Sequence, residues 1–118
     1  MIVTGCSQKP SESDGREFLE SYVRKQLDGY QDTIDVKVVN FKKTDGLSEI
    51  EDGAKHYTME YQADVIFPRG NSHWGSGYKA GEGYRERGRL QFVKFEEGWR
   101  LVDQRAYESH HLPENGSQ

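Results

Sequence analysis

The sequence predicts an α+β fold, in which one N-terminal amphipathic helix packs on a curved antiparallel sheet of about four strands. Apolar residues recur at helical spacing between residues 14 and 28. Apolar and polar residues alternate from 56 to 67, and two further apolar segments, 85–96 and 99–103, are separated by a short turn. A helix confined to one face of an antiparallel sheet defines this fold class.

The helix is expected from about Asp14 to Asp28. Asp14 is the expected N-cap, because Glu17 follows at the spacing of a capping box. Gly29 is suited to end the helix in a left-handed conformation. One apolar stripe runs along the helix. It consists of Phe18, Leu19, Tyr22, Val23 and Leu27.

The first two strands are indicated by a period of two residues. Ile34, Val36 and Val38 alternate with charged residues. Segment 56–67 alternates over its whole length, and Pro68 ends it. One face of this strand is expected on the core and the other in water. The core-facing residues are Tyr57, Met59, Tyr61, Ala63, Val65 and Phe67.

The last two strands form a hairpin across a turn at Glu97-Gly98. Alternating arginines begin the first of these strands, and carboxylates lie on the water side of segment 56–67. Cross-strand ion pairing explains both the arginines and the carboxylates. The arginines are Arg85, Arg87 and Arg89, and the carboxylates are Glu60 and Asp64. The expected core is Phe18, Leu19, Tyr22, Val23, Leu27, Val36, Val38, Tyr57, Met59, Tyr61, Val65, Leu90, Phe92 and Trp99.

Composition predicts a single domain with a modest core. The chain has 118 residues, of which 33% are hydrophobic and 31% charged. Its net charge of −4 opposes binding to nucleic acid. A single cysteine excludes an internal disulfide and the Cys-rich zinc patterns. We expect a tether at 1–13, the α+β domain at 14–107 and a polar, disordered tail at 108–118. The sequence carries no signature of an oligomeric state.

The loop from Arg69 to Tyr84 is the candidate binding segment. It is rich in glycine and contains His73, Trp74 and Tyr78. Aromatic residues exposed in such a loop can anchor an envelope protein or a glycan. The alternative is that Trp74 folds back over an open end of the core. We expect Trp74 and Tyr78 at the surface.

The sequence shows no catalytic, metal or cofactor signature. His110 and His111 are adjacent, so on a strand they point to opposite faces, and they lie in the expected tail. His56 and Glu60 share the solvated face of one strand, which explains them without a metal. No local motif supports a nucleophile. We therefore predict no catalytic residue, no metal site and no cofactor.

The element order and size resemble those of cystatin-like and NTF2-like domains, in which a curved sheet wraps a helix. The likeness rests on element order alone, and this chain is a reduced, one-helix version. It implies an alternative function as a small enzyme or ligand-binding domain. The pocket would lie between helix and sheet and be lined by Tyr57, Tyr61, Trp99 and a buried polar group.

Val3-Thr4-Gly5-Cys6 resembles a lipobox, the pattern read by bacterial signal peptidase II. The resemblance implies that Cys6 becomes the acylated first residue of the mature protein, anchored to a membrane of the cell envelope. Ser7 in the next position implies the outer membrane, facing the periplasm. We expect a longer signal before Met1. A chance motif in a cytosolic protein is the alternative, and the chain as printed would stay in the cytosol.

Two segments resemble stretches of small bacterial lipoproteins. They are Tyr57–Pro68 and Arg87–Trp99, which together cover about a fifth of the chain. This resemblance favours export and implies no activity. The sequence as a whole therefore predicts a lipid-anchored envelope protein that acts as a non-catalytic binding or accessory module.

Overall fold

The computed structural model describes residues 2–3, 9–27, 34–74 and 77–113. Its sheet is antiparallel throughout, with strand order β1-β5-β4-β3-β2. One helix packs on this sheet, as the sequence predicts, so the α+β class is confirmed. The elements are β1 (Ile2–Val3), α1 (Glu12–Gln26), β2 (Lys37–Glu51), β3 (Ala54–Ile66), β4 (Gly83–Phe95) and β5 (Gly98–Leu112).

The helix begins earlier than the sequence suggests. Ser11 is the N-cap, and its hydroxyl accepts a hydrogen bond from the Asp14 backbone N–H at 3.1 Å. The Asp14 carboxylate in turn accepts from the Ser11 N–H at 2.9 Å. The prediction of Asp14 as N-cap is therefore wrong, because Ser11 and Asp14 offer the same three-residue spacing one turn earlier. The predicted stop at Gly29 lies outside the described residues.

Helix α1 lies along β2 and is fixed there by polar contacts. The Glu20 carboxylate accepts from the Val38 N–H at 2.8 Å. Arg24 donates to the Val36 carbonyl at 2.8 Å and contacts the Asp35 carboxylate at 3.0 Å. The helix also comes very close to the sheet at Gly15, where a Cβ would lie 2.5 Å from the Met59 sulfur.

Strands β3 and β4 agree with the predicted segments, whereas β2 differs. It starts at Lys37, three residues after the predicted start, and continues to Glu51, beyond the predicted end at Val38. Asp52 and Gly53 then form a two-residue turn with φ values of 53° and 79°. An Asp-Gly pair with both φ values positive is the preferred connection of a tight hairpin.

Strand β5 is also longer than predicted. The turn before it consists of Glu96 and Glu97, one residue earlier than expected, and β5 pairs with β4 from Gly98 to Leu112. The prediction of a disordered tail from 108 is therefore wrong for 108–112, because β4 supplies backbone partners to these polar residues. Residues 114–118 lie outside the described residues.

The N-terminal segment contributes one short strand. The backbone of Ile2 and Val3 pairs with Arg100 and Trp99 on the outer edge of β5. Pro10 is fully buried. The prediction of a flexible tether over 1–13 is therefore wrong at these positions, and the helix already starts at Glu12.

The core is close to the predicted set. Each predicted core residue is buried except Tyr22, which is half-buried. All the predicted core-facing residues of β3 are buried as well. Helix and sheet meet through Phe18, whose ring packs edge-on against Phe92 with centroids 5.0 Å apart.

Candidate functional site

The predicted binding loop is tightly turned and hydrogen-bonded to itself. The Asn71 N–H donates to the Tyr78 carbonyl at 2.9 Å, and the Tyr78 N–H donates to the Asn71 carbonyl at 2.8 Å. Gly70 has a φ of 78°, and a Cβ there would lie 2.7 Å from the Tyr78 carbonyl oxygen. Glycine is needed at this position because the backbones approach so closely.

The aromatic residues of the loop pack on the end of the core. Phe67 contacts the Trp74 ring edge-on at 5.7 Å and the Tyr78 ring at 5.1 Å. His111 of β5 stacks on Tyr78 at 4.8 Å. Trp74 and Tyr78 are half-buried, so the prediction that they lie at the surface is wrong. The alternative, in which Trp74 covers an open end of the core, matches the structure.

A pocket of about 390 Å³ opens beside this loop. We call it the loop pocket. It includes His73 and Tyr78 of the predicted binding loop, while Trp74 lies outside its lining. His73 is exposed. The lining residues are Ile34, Arg69, Gly70, Asn71, Ser72, His73, Tyr78, Lys79 and Ala80.

Asn71 brings a buried hydrogen-bond donor to the loop pocket. The residue is only 2% exposed. Its side-chain oxygen accepts from the His73 backbone N–H at 2.9 Å, which fixes the amide in place. Its amide nitrogen has no hydrogen-bond partner within the described part of the chain. A buried donor without a partner is costly, so this amide is an unsatisfied polar group at the loop pocket.

The charged groups around the loop pocket favour an anion. Arg69 and Lys79 are exposed cationic side chains in its lining, and the described lining contains no acidic residue. The nearest acid along the loop, Glu82, accepts the Lys79 backbone N–H at 2.8 Å and lies 3.4 Å from the His111 ring. Arg69 also interacts electrostatically with the Asp35 carboxylate, which lies outside the lining. The lining itself presents hydrogen-bond donors and cations, which are the groups that bind a carboxylate ligand.

A second polar cluster lies on the core face of the sheet, around Glu86. This residue is 5% exposed, and its carboxyl accepts a hydrogen bond from the Tyr61 hydroxyl at 2.5 Å. Gln104 of β5 donates to the Tyr61 oxygen at 2.9 Å and to the Glu86 carboxyl at 3.3 Å. Gly88 makes room, since a Cβ there would lie 3.0 Å from the Tyr61 hydroxyl.

Burial determines the ionisation of this cluster. It raises the pKa of Glu86, while the hydrogen bond from Tyr61 acts in the opposite direction. Burial beside the Glu86 carboxyl also raises the pKa of Tyr61. The sequence analysis missed Glu86. Its position two and four residues before Gly88 and Leu90 places it on the core face, although glutamate is rarely found buried.

Asp64 is likewise buried, although it was expected on the water side. It is 4% exposed. Arg85, its direct neighbour on β4, donates to it at 2.7 Å, so the predicted cross-strand ion pair is confirmed. Asn40 donates to the same carboxylate at 2.9 Å. The hydrogen bonds from Arg85 and Asn40 lower the pKa of Asp64 despite its burial.

The histidines do not converge. His56 lies near the β2–β3 hairpin, His73 lies in the loop, and His110 and His111 lie on adjacent positions of β5. Within the described ranges, no group of three or more His, Cys, Asp or Glu side chains has the arrangement of a metal site.

Cys6, the predicted lipidation site, lies outside the described residues. The described part of the chain resumes at Lys9. This residue borders a pocket of about 410 Å³ that is also lined by Trp99 and Ile50. We call this end of the molecule the anchor end. The indole N–H of Trp99 is buried and has no partner among the residues described. The predicted pocket residues Tyr57, Tyr61 and Trp99 are all buried.

Comparison with known proteins gives no relative. No family model, curated protein or solved structure matches the chain. Among the described residues, no helix combines the length and the apolar character that crossing a membrane requires.

Proposed function

We propose that this protein is a lipid-anchored component of the bacterial envelope that acts as a non-catalytic binding module. In this proposal acylated Cys6 holds the chain at a membrane, and the loop pocket binds a carboxylate of an envelope partner. The observation that carries the proposal is the buried Asn71 amide, which lacks an acceptor in the described chain and lines a pocket with two exposed cations.

The two functional ends are well separated along the sheet. Lys9 and Trp99 mark the anchor end, where β5 begins. The loop follows Ile66, the last residue of β3, and contacts His111 near the end of β5. A strand of 13 residues such as β3 spans about 40 Å. Ligand binding at the loop is therefore sterically independent of the anchor.

The ligand chemistry follows from the groups present. A carboxylate would accept from the Asn71 amide and interact with Arg69 and Lys79, while Ile34 and the Tyr78 ring offer apolar contact. Such a carboxylate can belong to a peptide segment or to an acidic sugar. Both sources agree with a partner that is an envelope protein or a glycan.

Calorimetric titration of the purified chain tests this proposal. One probe is the peptide acetyl-Ala-Glu-Ala with a free carboxyl terminus, and the other is a trimer of galacturonic acid. Neutral counterparts, the amidated Gln peptide and a galactose trimer, are the ligand controls. We expect one acidic probe to bind and its neutral counterpart to bind about tenfold more weakly, because a charge-assisted hydrogen bond contributes more than a neutral one.

Variants then locate the site. Arg69→Gln and Lys79→Gln each remove one exposed cation from the loop pocket, and both should weaken binding of the acidic probe. Lys42→Gln removes an exposed cation from β2 and is the matched control. Binding that survives Arg69→Gln and Lys79→Gln as well as it survives Lys42→Gln would refute the loop pocket as the site, as would failure of both acidic probes to bind.

The second candidate function is a small NTF2-like enzyme, and Glu86 is the observation that favours it. A buried carboxyl with a raised pKa, held by a tyrosine and a glutamine on the core face, resembles a general acid or base. The same hydrogen bonds are also what a purely structural buried carboxyl requires. Titration of Glu86 by NMR, in the presence of a screened ligand, separates the two roles: a reactive carboxyl must be reached by ligand, whereas a structural one keeps its chemical shift.

A further inference from the structure

As far as the described residues show, the outer edge of β5 is open over most of its length. β5 has 15 residues, and β4 pairs with its inner edge along the whole strand. On the outer edge, the described residues provide only Ile2 and Val3, which pair with Arg100 and Trp99. Long open edges bind other strands readily, and natural proteins cover or protect them. β1 shows that this edge has the geometry to accept an antiparallel strand.

The middle of this edge carries two charges that form no ion pair within the described part of the chain. Asp103 and Arg105 lie on the same side of the sheet, two residues apart, and both are exposed. Neither makes an ion pair with another described residue. Arg105 lies directly opposite Arg89 on β4, so two like charges face each other across this ladder. Like charges in that position are destabilising. Arg89 has Glu60 of β3 directly opposite on its other side, and an acidic residue on the other side of Arg105 would give that arginine an acidic neighbour as well.

A second copy of the chain provides that acid. We propose that two copies pair antiparallel through the outer edges of β5, about a two-fold axis at Gln104. In this register Asp103 of each chain faces Arg105 of its partner, so the two ion pairs are equivalent by symmetry. Self-complementarity of this kind is what a closed two-fold interface requires. The inference goes beyond the proposed function and does not rest on it.

Charge selects this register over its neighbours. Paired residues of an antiparallel ladder point to the same side, so a slip must move the axis by a whole residue, to position 103 or 105. The first slip places Asp103 against Asp103, and the second places Arg105 against Arg105. Only the axis at Gln104 brings opposite charges together.

The residues flanking the pair fit an interface as well. Val102 is 54% exposed. Tyr107 is 48% exposed, and its hydroxyl donates to the Glu60 carboxylate of β3 at 3.3 Å, so its side chain reaches across β4 and leaves the edge beside it uncovered. Each is the extra residue of a bulge in the β4–β5 ladder. The two bulges flank the regular segment from Asp103 to Ala106, so the segment proposed to pair is the one with undistorted strand geometry.

Sedimentation velocity on the full chain, over a concentration series, tests the pairing. We expect a concentration-dependent dimer. Asp103→Arg leaves two arginines facing two arginines, and Arg105→Asp leaves two aspartates facing two aspartates. Each variant should weaken dimerisation by about tenfold or more, because two attractive pairs become repulsive. Glu51→Arg and Lys42→Asp make the same changes of charge at exposed sites of β2, away from the edge, and should leave the dimer unchanged.

Mixing the two variants is the decisive arm. Asp103→Arg carries only arginines at the pair and Arg105→Asp only aspartates, so an equimolar mixture should recover a heterodimer that neither forms alone. Recovery also shows that both variants are folded. A parent chain that stays monomeric up to about 1 mM would overturn the proposal. So would a dimer that is insensitive to both reversals, or a mixture in which no heterodimer forms.

Discussion

Individual residues divide into those that the core requires and those that the surface tolerates. Trp99 is 3% exposed and packs near Tyr57, with ring centroids 6.4 Å apart. We expect Trp99→Ala to lower the free energy of unfolding by about 3–5 kcal/mol. Urea denaturation measures it. Tyr107→Ala, at an exposed aromatic of the same strand, is the control and should cost much less. A Trp99→Ala variant as stable as the parent would contradict the burial described.

Glu86 gives the stability of the protein a characteristic pH dependence. Burial raises its folded-state pKa above the unfolded value of 4.5. Below that value Glu86 is protonated in both the folded and the unfolded state, so its ionisation does not lower the free energy of unfolding. As pH rises through the folded pKa, the native state must ionise a buried carboxyl and stability is lost. Glu86→Gln removes this loss. Denaturation curves from pH 4 to 8 should show the variant gaining stability relative to the parent as pH increases.

Asp64 provides a control with the opposite sign. Its hydrogen bonds from Arg85 and Asn40 lower its folded-state pKa, so its contribution to stability is present above the unfolded value of 3.8. That contribution is lost as pH falls through the folded pKa. Asp64→Asn should therefore be less stable than the parent at neutral pH, and this difference should shrink in acid. Equal trends for the Glu86 and Asp64 variants would show that buried carboxyls do not cause the pH dependence.

These two acids also show where the sequence is least informative. Alternation along β4 places Glu86 on the core face, and alternation along β3 places Asp64 on the opposite face. Whether a charged side chain at such a position is buried depends on partners from distant parts of the chain. Tyr61, Gln104, Arg85 and Asn40 supply them here. The alternation of apolar and polar residues along one strand does not reveal those partners.

Among the elements, helix α1 depends on its cap. Ser11 and Asp14 satisfy each other's backbone N–H groups at the first turn. We expect Ser11→Ala to lower the free energy of unfolding by about 1 kcal/mol, the usual cost of losing an N-cap. Thermal unfolding measures it. Ser13→Ala changes an exposed serine within the same turn and should stay within about 0.5 kcal/mol. Equal effects would place the cap elsewhere, for example at Asp14.

The loop should contribute to stability more than an exposed segment would. Trp74 is half-buried and packs edge-on against Phe67. An aromatic contact with partial burial suggests that Trp74→Ala costs about 1–2 kcal/mol. Chemical denaturation measures it, with Ser72→Ala, at an exposed position of the loop, as control. A change in the free energy of unfolding of less than about 0.5 kcal/mol would contradict this packing and would favour an exposed Trp74.

The elements that the sequence predicts are those that face the core. Strands β3 and β4 alternate because α1 covers one of their faces. The outer half of β2 and the second half of β5 are exposed almost throughout, so no hydrophobic period marks them. The Asp52-Gly53 pair was the available signal for the longer β2–β3 hairpin. Strand β1 has only two residues and depends entirely on the β5 edge.

At the scale of the whole molecule, the anchor end and the loop pocket lie at opposite ends of the sheet. An antiparallel dimer through β5 would therefore place the anchor of one chain beside the loop of the other. Both anchors would then reach one membrane only if the sheet lay along its surface. The proposed membrane attachment, ligand binding and pairing involve separate parts of the chain and can be tested separately.

The central claim is that Cys6 anchors this binding module to a membrane. Mass spectrometry of the protein isolated from its native cell envelope tests it most directly. We predict a mature chain that starts at Cys6 and carries the mass of a diacylglyceryl group on its sulfur. A Cys6→Ser variant should leave the membrane fraction. An N-terminus upstream of residue 6, or an unmodified Cys6 thiol, would contradict the account.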